Sequence, residues 1–181
     1  MWLCLAPFLH WLTRPPKTRV GDKRVYTMPL TEFLDPAAVL PNLKAASKKQ
    51  ALRDIADHAA TVMGLDGREI YEALLQRERL GSTGIGRGIA IPHGKFPQVQ
   101  KLQGLFARLE KPIDFEALDH EPVDLVFLLI APENAGADHL KALARVARVM
   151  RDPLTIQSLR QARDQSALFA LLTRTPSSNA A

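Results

Sequence analysis

Cysteine is nearly absent from this chain: Cys4 is the only one in 181 residues. One thiol excludes an intramolecular disulfide, and without Cys clusters there is no zinc-finger or ribbon site. A reducing, cytoplasmic setting is the expectation. Long hydrophobic runs are also lacking. Trp2 to Leu12 is mostly apolar, but Pro7 and His10 break it and it is too short to span a bilayer. No basic residue precedes it and no small-x-small cleavage pattern follows, so it makes a poor signal peptide and membrane insertion is not expected. Internal repeats are absent too.

Basic charge is scarce where a nucleic-acid surface would need it. The net charge is +5, but Arg14, Lys17, Arg19, Lys23 and Arg24 against Asp22 put +4 of it in residues 1–27, leaving +1 for the rest. The basic character belongs to a tail, and nucleic-acid binding is not expected. Residues 1–27 are expected to be a disordered extension, or to reflect a start placed too early, with Met28 the first residue that matters. Residues 28–174 are expected to form one domain, and 175–181 a flexible C-terminal tail.

Within 28–174 the element signals are dense. Leu30 to Pro41 reads as a lead-in segment and residues 42–45 as a short edge strand. Ser47 stands where an N-cap belongs, ahead of a stripe of Leu52, Ile55, Ala56, Ala59, Val62 and Met63 that Gly64 ends. Asp66 should cap a second helix carrying Ile70, Leu74 and Leu75, running to about Arg79 and stopped by Gly81. Residues 81–88 hold four glycines, which predicts a shaped loop rather than a helix or strand. A short strand at 89–91 should end at Pro92-His93-Gly94. Leu102 to Leu109 alternates like a strand, closed by Pro112, and Val123 to Ala131 is the continuous apolar run of a strand buried on both faces. Asp138 should cap a helix with Leu140, Leu143, Ala144, Ala147 and Met150 on its apolar face. Helical segments follow at about 153–163 and 165–173. Strands mixed with helices predict an α/β layered domain.

The glycine-rich loop lacks the spacing of both common nucleotide motifs. A dinucleotide fingerprint needs a third glycine where Ile89 stands, and a strand-to-helix turn where a helix-to-strand order is found. A P-loop would need a glycine at Ile89 and Ser or Thr at Phe96. What the loop offers is backbone N–H groups at Gly84 and Gly86, hydroxyls at Ser82 and Thr83, and Arg77 and Arg79 at the end of the preceding helix. That donor set suits a phosphoryl anion. Beside it stands His93, flanked by Pro92 and Gly94, an imidazole competent as a nucleophile toward phosphorus near neutral pH. His139, at a helix start, could stay neutral and bond a phosphoryl oxygen or steer His93. His10, His58 and His120 carry no role, and two histidines without a placed carboxylate or thiolate make no metal site. No cofactor, Mg²⁺ or nucleotide is needed. Ile85 and Phe96 are candidates for an apolar docking surface or are simply core.

Arg77-Glu78-Arg79, Gly81-Ser82-Thr83-Gly84-Ile85-Gly86 and Gly88-Ile89-Ala90-Ile91-Pro92-His93-Gly94 closely resemble the phosphorylation-site signature of the fructose/mannitol-type enzyme IIA proteins of the phosphotransferase system. Within them the chain is most similar to the nitrogen-regulatory enzyme IIA-Ntr. Pro112-Ile113-Asp114-Phe115, Pro122 to Phe127 and His139-Leu140 match as well. The resemblance spans about Met28 to Thr173. It implies a three-layer α/β/α sandwich around a small mixed sheet. His93 would be the phosphoryl acceptor from an HPr-type carrier, general or nitrogen-branch. Arg77 would help bind the group, and His139 would be a second histidine that is not itself phosphorylated. It also implies regulation of partner proteins through phosphorylation state. The alternatives are a binding module without the chemistry, or a sugar-specific IIA passing the group to a separate IIB.

Overall fold

The computed structural model describes residues 28–174, and the expectations for residues 1–27 and 175–181 lie outside the described residues. A short 3-10 turn, Leu30–Glu32, leads into strand β1 (Leu34–Leu43). Helices α1 (Lys48–Met63) and α2 (Gly67–Arg79) follow, then three short strands, β2 (Gly84–Gly86), β3 (Ile89–Ala90) and β4 (His93–Phe96). Two long strands, β5 (Gln103–Ile113) and β6 (Val123–Pro132), precede α3 (Gly136–Arg151), α4 (Pro153–Gln161) and α5 (Gln165–Thr173).

The strands make one six-stranded mixed sheet in the order β1-β5-β6-β3-β2, with β4 also paired to β6. Pairing is parallel for β1–β5, β3–β6 and β4–β6 and antiparallel for β2–β3 and β5–β6. α1 and α2 pack on each other and on β1, β5 and β4, while α3, α4 and α5 form a second group against β6 and β1. This is the three-layer α/β/α sandwich. β6 is its axis: every residue is buried except Asp124, which Arg160 pairs at 2.7 Å. A strand covered on both faces has no polar side to alternate with, hence its continuous apolar sequence. Phe106, Phe115 and Phe127 fill the space around it.

The helix starts follow their caps. Ser47 accepts from Gln50 N, and Asp66 accepts from Arg68 N and Glu69 N. Gly64 closes α1 in the left-handed conformation at φ 70°. α2 ends at Leu80, and Gly81 turns the chain beyond it at φ 137°.

Several expectations need correction. β1 is ten residues long and contains both Pro36 and Pro41. It lies at the sheet edge and its register slips twice, so the missing prolyl N–H groups leave no central ladder broken. β5 runs on through Pro112 to Ile113. The glycine-rich segment is not only loop, because Gly84 and Gly86 pair antiparallel with Ala90 and Ile89. β3 ends at Ala90, just ahead of Ile91-Pro92, but pairing resumes at once: β3 and β4 keep one register along β6, Ala90 facing Val126 and His93 facing Leu129. The chain continues in line past the proline. α3 starts at Gly136 with no side-chain cap, and Asp138 lies inside its first turn, paired with Lys141. The buried face of α3 is His139, Ala142, Arg145, Val146, Val149 and Met150, while Leu140 and Ala144 face outward.

Candidate active site

His93 is the first residue of β4, held by pairing to the central strand. Its ring is half-buried and bonded at both nitrogens. Nδ1 lies 2.9 Å from the Ile91 carbonyl, which can only accept, so the ring proton sits on Nδ1. Nε2 then carries the lone pair, and Arg77 Nε donates to it from 3.2 Å. Arg77 comes from the last turn of α2, and its Nη1 is anchored on the Gly81 carbonyl at 2.9 Å.

His139, in the first turns of α3, is buried with its ring centroid 5.7 Å from that of His93 and the planes at 56°. Its Nε2 has no hydrogen-bond partner among the described residues. Burial lowers the pKa of His93. The bond to Ile91 and the charge of Glu78 oppose that effect, and the charge of Arg77 adds to it. His139 is also lowered, by burial first, then by His93 and Lys95. Both rings therefore favour the neutral form, and a neutral imidazole keeps one ring nitrogen unprotonated, as a nucleophile needs.

His93, Arg77 and His139 thus come together. The loop donors do not join them. Ser82 Oγ donates to the Phe115 carbonyl at 2.7 Å and accepts from Gly84 N at 3.1 Å. The Thr83 hydroxyl donates to Glu78, as does Thr83 N at 3.2 Å. Gly84 and Gly86 are sheet residues, and a Cβ on Gly84 would sit 2.8 Å from that of Ala117. These four residues shape the hairpin, and the two hydroxyls are not free to hold a phosphoryl group. Arg79 stays exposed and lines a cavity with Tyr71, Leu75 and Lys48. Phe96 is core, its ring against Gly94, and Ile85 is half-buried. Of the exposed apolar residues, Leu80 precedes Gly81 in sequence and Leu140 follows His139.

The sequence reading missed the Ile91 carbonyl, Glu78 and Lys48. The available signal was Glu78 itself, a carboxylate in the last turn of a helix, where the dipole disfavours it. His58 contacts the Ala37 carbonyl at 3.0 Å, and His120 sits in a loop at φ 59°. Among the described residues no group of three or more His, Cys, Asp or Glu is placed to hold a metal ion. No helix there is long and apolar enough to cross a membrane.

Fold and site together define an α/β domain that presents an arginine-backed, neutral imidazole at its surface. The chain belongs to the family described as "Phosphoenolpyruvate-dependent sugar phosphotransferase system, EIIA 2", whose model matches residues 32–175. It is 56% identical over 153 residues to a nitrogen regulatory protein of Bradyrhizobium diazoefficiens, covering 84% of this chain and all of that one. The crystal structure of IIA-Ntr from Neisseria meningitidis superposes with a TM-score of 0.76 at 33% identity, over 80% of this chain and 99% of that one. The mannitol IIA of Escherichia coli shares the fold, with a TM-score of 0.66 at 23% identity over 76% of this chain and 97% of that one.

Proposed function

We propose that Nε2 of His93 accepts a phosphoryl group from a phosphohistidine carrier of the HPr type, general or nitrogen-branch. The chain would work as a IIA phosphotransfer component of the nitrogen-regulatory kind, in a reducing, cytoplasmic setting. The observation that carries this reading is the polarity of the ring: Ile91 holds the proton on Nδ1 and Arg77 lies on the lone pair of Nε2.

The Nε2 lone pair forms the new P–N bond as the P–N bond of the donor breaks, and its electron pair returns to the donor imidazole. Such a transfer needs alignment and charge stabilisation more than proton chemistry. The strand pairing of β4 and the Ile91 bond fix the ring. The Arg77 guanidinium swings only slightly from the lone pair to the incoming oxygens and offers them a fork of N–H donors. His139 would supply one more donor if its ring proton sits on Nε2, which has no hydrogen-bond partner among the described residues. No metal or nucleotide enters this scheme. The product adds close to two negative charges at one half-buried spot. A partner docking there meets a different surface in each state, which supports regulation of partner proteins of the kind the relatives' name implies.

The test is incubation with enzyme I, an HPr-type carrier and labelled phosphoenolpyruvate. Acid-labile, alkali-stable label is expected on the wild type and none on folded His93→Ala. Label on the variant would overturn the assignment.

A further inference from the structure

Glu78 is a buried carboxylate in an unfavourable place. It stands next to last in α2, facing the negative end of the helix dipole, with its side chain 5% exposed. A buried charge persists only when it is paired and hydrogen-bonded. Its cation is Lys48, the first residue of α1, at 2.8 Å, which also holds Glu116 at 2.8 Å and lies 5.1 Å from the Phe115 ring centroid. Its hydrogen bonds come from the amide and hydroxyl of Thr83, itself 4% exposed.

Two routes run from this cluster to the same imidazole. One is covalent: Glu78 adjoins Arg77, which donates to His93 Nε2 at 3.2 Å. The other passes through Thr83, whose carbonyl accepts Ile91 N–H at 3.0 Å, and then through the Ile91 carbonyl, which accepts Nδ1 of His93 at 2.9 Å. The Glu78–Thr83 contact closes the ring between them. It ties the end of α2, which carries the guanidinium, to the strand that carries the imidazole. Slack at that contact would open the Arg77–His93 pair.

We infer that Glu78, clamped by Thr83 and Lys48, is a positioning residue that holds Arg77 on Nε2 of His93. The consequence for phosphoryl transfer rests on the function proposed above, but the clamp itself can be measured without it. The first measurement is the ¹⁵N resonance of His93 Nε2 in the unphosphorylated full chain, which reports the hydrogen bond donated to its lone pair. Thr83→Val keeps the shape and removes the hydroxyl. Its Nε2 resonance should move toward that of Arg77→Ala, and Thr83→Ser should restore it. The rate of phosphoryl acceptance should fall roughly tenfold to a hundredfold in Thr83→Val, the scale of a misplaced catalytic group. In an Arg77→Ala background the same change should add less than about twofold, because residues acting through one another are not additive. An unmoved Nε2 resonance in folded Thr83→Val, or an equal loss in the Arg77→Ala background, would overturn the clamp. If Thr83→Val does not fold, Lys48→Met is judged by the same two readouts. A wild type that accepts no phosphoryl group counts against the proposed function, while the Nε2 resonance still decides the clamp.

Discussion

The protonation of two histidines links chemistry and stability at the residue scale. Burial holds His93 and His139 below the ordinary imidazole value, with Arg77 adding to the effect on the first and His93 and Lys95 on the second. The proposed acceptance needs an unprotonated Nε2, so its rate should stay level as the pH drops through about 6.5 and fall only at the lowered pKa. A rate that halves near 6.5 would contradict this. Stability runs the other way. Below about 6.5 the unfolded histidines bind protons that the folded ones still refuse, so unfolding takes up protons and stability falls with pH in that window. Urea midpoints should be lower at pH 5.5 than at 7.5, and the difference should shrink in His139→Asn. A higher midpoint at pH 5.5 would refute the assignment of neutral rings.

Sequence legibility at this scale tracks how local the signal is. His93, Arg77 and His139 stood out because motif and chemistry coincide on single residues. Ser82 and Thr83 were given to a ligand because a glycine-rich loop offers donors. Only the fold shows that Phe115 and Glu78 already take them. The Ile91 carbonyl, which sets the tautomer, is a backbone atom and has no sequence signature.

At the scale of elements, α2 deserves a separate test because it carries Arg77 at one end and its cap at the other. Asp66 accepts from Arg68 N at 2.7 Å and Glu69 N at 3.1 Å. Asp66→Ala should therefore cost about 1 kcal/mol of stability, read by denaturant unfolding. Phosphoryl acceptance should be unchanged, because the Arg77 end, which carries the proposed chemistry, is about 17 Å away along the helix axis. A matching loss of activity would mean that α2 frays as a unit. The helices with side-chain caps, α1, α2, α4 and α5, were legible to within about two residues. α3 was not: its buried stripe includes His139 and Arg145, polar residues that a search for apolar periodicity skips, and this shifted its expected face by one position. β1 and β4 were missed because proline reads as a terminator. Both tolerate it, β1 as an edge strand and the β3–β4 line because β6 resumes the same register beyond Pro92.

For the whole molecule, the layered α/β architecture followed from the order of elements, whereas the surface a partner would meet did not. The proposed in-line transfer requires a donor imidazole to approach the half-buried His93 from outside, so on that reading the carrier would cover the rim of the site. Phe96, a candidate for that rim or for the core, is 5% exposed and belongs to the core. Leu80 is 85% exposed beside Gly81, which anchors Arg77, and Leu140 is 66% exposed beside His139. Large apolar side chains left in water next in sequence to residues of the candidate site suit a transient protein contact. Leu140→Asp should leave stability within about 0.5 kcal/mol, as an exposed substitution does. It should raise the carrier concentration needed for half-maximal phosphorylation while leaving the maximal rate nearly unchanged, the signature of lost binding rather than lost chemistry. Leu154 is 70% exposed but follows the far end of α3. Leu154→Asp should leave both parameters alone. If the two variants behave alike, the carrier does not sit on the Leu140 side, and the approach to His93 must be sought across Leu80.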